Sequence, residues 1–198
     1  HTGEVLALTG GRGEKKQSKT LNRASNVYRQ PGSTFKVVSS FAPAIDLYGA
    51  TLASTYYDSE YTVGNKTFKN WYSGGYLGYQ SIRDGIVYSL NIVAVRCLME
   101  TVKPERGYEY AKSLGISSLV EDDKNPALAL GGLTKGVSNL ELTQAYGVIA
   151  NGGKMQKAKF FSKILDQNGK VILDTTKDEA QQVMKESTAY LLTDAMKE

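Results

Sequence analysis

The protein is 198 residues long, 41% hydrophobic and 22% charged, which is the size and apolar content of one globular domain over residues 1–198 that can form a core without disulfide bonds. Its formal net charge of +4, with no long block of like charges, argues against a nucleic-acid partner. Its single histidine, His1, excludes Ser-His-Asp triads, Cys-His pairs and multi-histidine metal sites, so any nucleophile needs another base and we expect no metal or cofactor.

The sequence contains neither a candidate membrane span nor a signal peptide. No run approaches the roughly eighteen consecutive apolar residues of a span, and the opening HTGEVLALTG lacks the charged-then-apolar layout of a signal peptide. We therefore expect any targeting signal to lie outside these residues. The single cysteine, Cys97, lies in the apolar stretch NIVAVRCLM, which predicts a small buried hydrophobe rather than a reactive thiol.

The first part of the chain predicts a strand followed by a helix. The segment from Gly3 to Gly10 alternates partly in hydropathy and ends in Gly-Gly, as a sheet strand with a turn does. A helix is expected to start near Ser33, because apolar residues then recur four, three and four positions apart, at Val37, Phe41, Ala44 and Tyr48. Pro43 lies inside this pattern, and an interior proline removes a backbone hydrogen bond, so we expect a kink or a break there.

The middle of the chain alternates between irregular and helical patterns. Residues 54–80 are rich in Tyr, Gly, Asn and Ser with short β-like runs, which predicts a hairpin-containing excursion over the surface, of a kind that often lines a site. From Gln80 to Val102 the apolar spacing is helical, with an interruption near Ser89-Leu90-Asn91. A further helix is expected from Pro104 to Leu114.

The last part predicts two helices around a hairpin. Ser138-x-x-Glu141 is a capping box, and Asn151-Gly152-Gly153 is a stop signal, so a helix is expected over 139–150. The runs FFSKIL and KVIL, joined by Asp-Gln-Asn-Gly, predict a hairpin with an Asn-Gly turn, and residues 186–197 have helical periodicity. Strands near both ends of a long helical middle predict an α+β fold, an antiparallel β-sheet flanked by helices.

One candidate chemical motif is Ser33-x-x-Lys36 at the start of the predicted helix. Residues three apart share a helical face, so the lysine amine can reach the serine hydroxyl, and the N–H groups of the first turn point outward where an oxyanion would form. A lysine can remove the serine proton only if its amine is kept neutral, so Lys36 is expected to be buried. The spacing alone is a weak signal, because Ser and Lys are both common in the chain.

A second motif, Ser89-x-Asn91, lies at the predicted break between helical segments. A hydroxyl between the lysine and the leaving nitrogen can relay a proton, and an Asn side chain can bond a substrate amide in both directions. In this order the two motifs are the first two of the three that serine penicillin-interacting enzymes carry, the third being Lys-Thr/Ser-Gly.

Five segments resemble successive signatures of the transpeptidase domain of class A penicillin-binding proteins, within the serine β-lactamase and penicillin-binding protein superfamily. They are TGEVLALTGG, LNRAS…RQPGSTFK, IRDGIVYSLNIVAV, LALGGLTKGVSNLELTQAYGVIANGG and ILDQNGKVI. The run RQPGSTFK around Ser33 is the most specific of them. The resemblance spans nearly the whole chain.

The resemblance implies a peptidoglycan DD-transpeptidase. Ser33 would be acylated by stem peptides ending in D-Ala-D-Ala and also by β-lactam antibiotics, Lys36 would be the base, and Ser89 and Asn91 would shuttle a proton and hold substrate. An amine from a neighbouring strand would then attack the acyl-enzyme and form a cross-link. The resemblance also implies an extracytoplasmic location at the cell membrane, with an anchor and a glycosyltransferase domain preceding this chain.

The sequence departs from the family because it contains no Lys-Thr-Gly or Lys-Ser-Gly. In the family this motif follows the helix predicted here at 186–197, so we expect the domain to be truncated before that strand and to need a further C-terminal segment as a partner. Residues 1–198 alone are then expected to bind penicillin poorly, which rapid stoichiometric acylation of the isolated polypeptide would contradict.

Two alternatives stay open at the level of sequence. Glu121-x-x-x-Asn125 follows Ser89 at a distance that suggests the deacylating glutamate of a serine β-lactamase, although the polar run EDDKNP also suits a solvated loop. A non-catalytic β-lactam sensor or structural domain also carries Ser-x-x-Lys. The lifetime of the acyl-enzyme separates the first alternative from a transpeptidase, and peptidoglycan cross-linking separates the second.

Overall fold

The computed structural model describes residues 2–14 and 16–198, so His1 lies outside the described residues. The α-helices of the described part are α1 (Ala42–Tyr48), α2 (Ile82–Val87), α3 (Asn91–Arg96), α4 (Pro104–Ser113), α5 (Asn139–Ala150) and α6 (Glu186–Ala195). The strands of the same part are β1 (Thr55–Asp58), β2 (Tyr61–Val63), β3 (Lys66–Phe68), β4 (Gly78–Ser81), β5 (Lys154–Met155), β6 (Lys163–Leu165), β7 (Val171–Asp174) and β8 (Gln181–Gln182).

All of these strands pair antiparallel, which confirms the α+β class. Within the described residues they form four separate two-stranded sheets, β1 with β4, β2 with β3, β5 with β8 and β6 with β7. The sheets are small, and the bulk of the buried apolar surface lies between helices instead.

Helix α3 is the centre of the core. Its four apolar residues, Ile92, Val93, Ala94 and Val95, are all fully buried, as expected for a helix that is apolar on every side. It contacts β1, and it also contacts the 3₁₀ segment Pro126–Leu130. Asn91, the first residue of α3 and a candidate site residue, is therefore attached to a helix that is packed into the core.

The segment after α3 continues as a π-helical turn, Cys97–Val102. Cys97 is fully buried in it, and its thiol donates to the Ser40 carbonyl at 3.4 Å. Burial raises the pKa of this thiol to about 12. The prediction of an inert, buried cysteine is confirmed.

The prediction of a strand from Gly3 to Gly10 is wrong. Only Glu4 forms a β-bridge, to Lys159, with backbone bonds from Val5 N to Lys159 O (2.8 Å) and from Lys159 N to Gly3 O (2.7 Å). Leu6 beyond it is 92% exposed. Alternating hydropathy predicts an extended backbone, but a strand also needs a ladder partner, and within the described residues this segment has only the single bridge.

Of the kink or break expected at Pro43, the break does not occur, since the helical path continues through the proline; the α-helical hydrogen bonding is instead irregular directly before it. The chain passes from a 3₁₀ turn (Gly32–Thr34) through a π-helical turn (Val37–Phe41) into α1, whose second residue is Pro43. The π-helical turn ends where the Ala42 N–H donates to the Val37 carbonyl, five residues earlier. Proline is accommodated because it falls at the start of the α-helical segment, where a missing N–H is tolerated.

The remaining predictions of local structure are confirmed, with one correction. Residues 54–80 form the β1–β4 and β2–β3 hairpins, and α5 begins at a capping box in which Ser138 and Glu141 bond each other's backbone N–H. In the β6–β7 loop the Asp166 carbonyl accepts from Gly169 N at 3.1 Å and Gly169 has φ +82°. Gln167 and Asn168 therefore form the turn and Gly169 follows it, so Asn-Gly does not occupy the two central positions.

None of the helices in the described part of the chain has the length and apolar character that a bilayer crossing requires.

Two helical glycines give a matched test of core packing. A Cβ on Gly107 of α4 would lie 2.5 Å from the Ser39 carbonyl oxygen and 2.6 Å from Leu98 Cδ1, whereas Gly147 of α5 has no atom within 4 Å of that position. We expect Gly107→Ala to lower the free energy of unfolding by about 1–3 kcal/mol and Gly147→Ala to raise it by roughly 0.5–1 kcal/mol. Denaturant unfolding measures both changes, and equal effects would contradict the close approach of α4 to Ser39.

Candidate active site

The Ser33 side chain stands at the start of the first helical segment. Gly32 has φ +59°, a left-handed conformation that suits glycine, and the 3₁₀ turn Gly32–Thr34 begins there. The Thr34 hydroxyl donates to the Pro31 carbonyl at 2.7 Å, which closes the turn. Ser33 itself is exposed, and among the described residues its hydroxyl has no hydrogen-bond partner. The hydroxyl is therefore accessible to a substrate.

Lys36 is buried one turn after Ser33. It is only 2% exposed, and its Nζ donates to the Ser89 carbonyl at 2.6 Å and to Ser89 Oγ at 2.9 Å. Within the described residues it forms no ion pair. Burial without a counter-ion lowers the pKa of Lys36 to about 8. The prediction that Lys36 is buried is confirmed, and the structure places its amine in contact with Ser89.

Ser89 lies in the short connection between α2 and α3. It is one of the non-glycine residues with positive φ, at +52°, and the next residue, Leu90, donates its N–H to the Gly85 carbonyl at 3.1 Å. A left-handed residue costs about 1 kcal/mol or more unless its surroundings impose it. In this conformation both the carbonyl and the hydroxyl of Ser89 lie within hydrogen-bonding distance of one amine, that of Lys36.

Asn91 begins α3, but its side chain is partly engaged elsewhere. Its Nδ2 donates to the Lys69 carbonyl at 2.9 Å. In the described part of the chain no hydrogen bond joins Asn91 to Ser33, Lys36 or Ser89. Its Oδ1 is the side-chain group that remains available as an acceptor.

A loop from the second half of the chain closes around the Ser33 turn. A Cβ on Gly131, which has φ +69°, would lie 2.5 Å from the Gly32 carbonyl oxygen, so the two backbones touch. Gln30 donates through Nε2 to the Leu133 carbonyl at 2.5 Å and accepts from Leu133 N at 2.7 Å. From α5, the Tyr146 hydroxyl donates to the Thr34 carbonyl at 2.7 Å. These contacts hold the backbone that carries Ser33.

Sequence reasoning missed Gln30, Gly131 and Tyr146 as residues of the site. The one signal available was the Gly-Gly pair in LALGGLTKG, since paired glycines mark a close backbone approach or a turn. No local sequence pattern, however, indicates that these glycines approach the turn that carries Ser33.

The excursion 54–80 also contacts the second motif, as its predicted position near a site would require. Trp71 Nε1 donates to the Tyr88 carbonyl at 3.1 Å, and Asn70 Oδ1 accepts from Asn91 N at 2.9 Å. Neither Asn70 nor Trp71 was singled out from the sequence, because no local pattern reports a contact between residues so far apart.

The glutamate suggested by the β-lactamase alternative faces solvent. The Glu121 side chain is 78% exposed and pairs with Lys124 at 2.7 Å, and this hydrogen bond lowers the pKa of the carboxyl. Asn125 caps the following 3₁₀ turn by accepting from Ala127 N at 2.8 Å. The geometry therefore favours the solvated-loop interpretation of EDDKNP.

Across residues 2–14 and 16–198, no three or more His, Cys, Asp or Glu side chains lie together as metal ligands would.

Comparison with known proteins identifies the family. The family description "Penicillin binding protein transpeptidase domain" matches residues 1–198. The chain is 39% identical to penicillin-binding protein 1F of Bacillus subtilis over 192 residues, covering 97% of this chain and 26% of the relative. It is 33% identical to penicillin-binding protein 1A of Clostridium botulinum over 209 residues, covering 99% of this chain and 25% of the relative. The chain thus spans about a quarter of the length of these relatives.

Solved structures agree with the sequence relatives. The fold matches the penicillin-binding protein PonA1 from Mycobacterium tuberculosis with a TM-score of 0.78 at 24% identity, over 94% of this chain and 50% of that one. The structure of PonA1 in complex with penicillin V matches at 0.78 and 25% identity, over 91% and 49%. Penicillin-binding protein 1A from Haemophilus influenzae matches at 0.74 and 26% identity, over 91% and 31%. The chain therefore belongs to the penicillin-binding protein transpeptidase domain family.

Proposed function

We propose that the protein is a peptidoglycan DD-transpeptidase in which Ser33 is the nucleophile and Lys36 is its general base. The observation that carries the proposal is the buried amine of Lys36, one helical turn from an exposed serine and hydrogen-bonded to Ser89. Among residues 2–14 and 16–198 this amine has no carboxylate partner. With a pKa near 8 about a tenth of the amine is neutral at pH 7, far more than for an ordinary lysine, so it can accept a proton.

Acylation follows from this arrangement. Ser33 Oγ attacks the carbonyl carbon of the penultimate D-Ala, while Lys36 takes the hydroxyl proton. The new C–O bond forms and the C–N bond to the terminal D-Ala breaks, and the proton passes through the Ser89 hydroxyl to the leaving nitrogen. Ser89 Oγ is 2.9 Å from Lys36 Nζ, which is within the reach of a direct transfer. An acceptor amine then attacks the ester, forms the cross-link and frees Ser33.

The same geometry supports binding roles. The first N–H groups of the turn that starts at Gly32 have no partner within a helix, so they would be free to stabilise the developing oxyanion. Asn91 Nδ2 uses one of its two N–H groups on the Lys69 carbonyl. The second N–H and Oδ1 are therefore left to donate to and accept from a substrate amide, which supports the two-way contact expected from the sequence.

β-Lactams would form the corresponding ester with Ser33, in keeping with the penicillin V complex of the related PonA1. We further infer that the site works at the extracytoplasmic face of the membrane, in a protein that also carries a glycosyltransferase domain. A further segment with Lys-Thr/Ser-Gly is proposed to complete the site, because the 198 residues lack that motif.

Replacement of the nucleophile tests the proposal. We expect Ser33→Ala in the native full-length protein to abolish covalent labelling by a fluorescent penicillin and the matching mass shift, because the substitution removes the oxygen on which the proposed ester forms. Ser187→Ala, at an exposed serine in α6, is the matched control and should be labelled like the wild type. Persistent labelling of Ser33→Ala would refute the assignment.

The pH dependence of acylation tests the base. Only the neutral Lys36 amine accepts a proton, so the acylation rate should rise about tenfold per pH unit below the pKa of about 8 and level off above it. Lys36→Arg keeps a permanent cation and should lower the rate by about 10²-fold or more. Stopped-flow acylation measures both. A rate that stays flat from pH 6 to 8 would show that Lys36 is not the base.

A further inference from the structure

Helix α3 has no N-terminal cap of its own. Leu90 occupies the N-cap position and has no side-chain acceptor. The cap comes instead from Asn70, twenty-one residues earlier, whose Oδ1 accepts from Asn91 N at 2.9 Å and from Ile92 N at 3.3 Å. The start of α3, directly after Ser89, is therefore held by a side chain of the excursion.

Asn70 is itself held in one orientation by a buried carboxylate. Its Nδ2 donates to Asp58 Oδ1 at 2.7 Å and to the Tyr72 hydroxyl at 3.1 Å. Asp58 is 1% exposed, and its Oδ2 accepts from Leu77 N at 2.9 Å and from the Tyr72 hydroxyl at 3.2 Å. Both ends of the Asn70 amide are thus occupied, which fixes its rotamer and its O/N orientation.

The residues on each side of Asn70 bind the same turn. The Lys69 carbonyl accepts from Asn91 Nδ2, and Trp71 Nε1 donates to the Tyr88 carbonyl. Three consecutive residues of the excursion therefore contact the backbone or side chains that flank Ser89 on both sides. A residue with positive φ persists where its surroundings over-determine it, and these contacts supply that constraint for Ser89.

We propose that Asn70, oriented by Asp58, is a positioning residue for the acylation step, because it holds Ser89 in the strained conformation that presents both its carbonyl and its hydroxyl to Lys36. The inference rests on the proposed function of Ser33 and Lys36. Ser89 is the only hydrogen-bond partner of the Lys36 amine in the described part of the chain. Relaxation of the turn would leave the amine without its partners and the proton relay without its hydroxyl, while the turn that carries Ser33 stays held by Gly131 and Gln30.

The test compares acylation kinetics of variants in the native full-length protein, with benzylpenicillin as the probe. Asn70→Ala should lower the first-order acylation rate constant about 10- to 100-fold and change the dissociation constant of the non-covalent complex less than about threefold. Asn65→Ala, at an exposed asparagine in the β2–β3 turn, is the matched control and should acylate like the wild type.

A swap of the buried pair separates positioning from general loss of structure. Asn70→Asp alone sets two carboxylates against each other and should be slow. Asp58→Asn combined with Asn70→Asp restores the pair with reversed polarity. In that double variant the new carboxylate still accepts from the two N–H groups of α3, and the new amide on β1 donates to the carboxylate. The double variant should recover the acylation rate to within about threefold of the wild type. If Asn70→Ala fails to fold, the double variant alone tests whether Asn70 positions Ser89.

The outcomes are distinct. A wild-type rate constant in Asn70→Ala, or a double variant no faster than Asn70→Asp, overturns the role of Asn70 while leaving the proposed function intact. A wild-type protein that is not acylated at all, with Ser33→Ala behaving identically, refutes the proposed function and this inference with it.

Discussion

The buried amine of Lys36 is the constraint on which the candidate site depends. Within the described residues it gives up water for only two acceptors, the carbonyl and the hydroxyl of Ser89, and this burial favours its neutral form. The contact joins two turns that lie 53 residues apart in sequence. In the proposed mechanism it supplies the base that a hydroxyl as weakly acidic as that of Ser33 needs to act as a nucleophile at neutral pH.

The rest of the structure maintains that contact from both sides. On the Ser33 side, Gly131 and Gln30 tie the turn that carries Ser33 to the loop that follows Pro126–Leu130. On the Ser89 side, Asn70 ties the start of α3 to the excursion. Between the two, α3 is fully packed and cannot shift without opening the core. Loops therefore supply the directional hydrogen bonds, and the helical core supplies the rigidity.

Sequence predictions succeeded where the interactions act between residues close together in the chain, and failed where they join distant residues. The helix over 139–150 and the break at Ser89-Leu90-Asn91 were predictable because caps, stop signals and apolar spacing act within a few residues. The strand prediction at Gly3–Gly10 failed because pairing needs a distant partner. The break that was one of the two outcomes expected at Pro43 does not occur, because a π-helical turn precedes the proline and places it at a tolerant position. Asn-Gly in the β6–β7 loop shifted by one position because the loop closed around Gln167 and Asn168.

By itself the sequence determined which residue types were present and their spacing along the chain: an SxxK pair one turn apart, an SxN tripeptide at a helix break, and the family to which they belong. Only the tertiary structure decided that the Lys36 amine donates to Ser89, that the amide nitrogen of Asn91 donates to the Lys69 carbonyl, and that Asn70 caps α3. The reason is physical. Spacing within a turn is set by covalent geometry, whereas burial and hydrogen bonds between distant residues arise only when the whole chain packs.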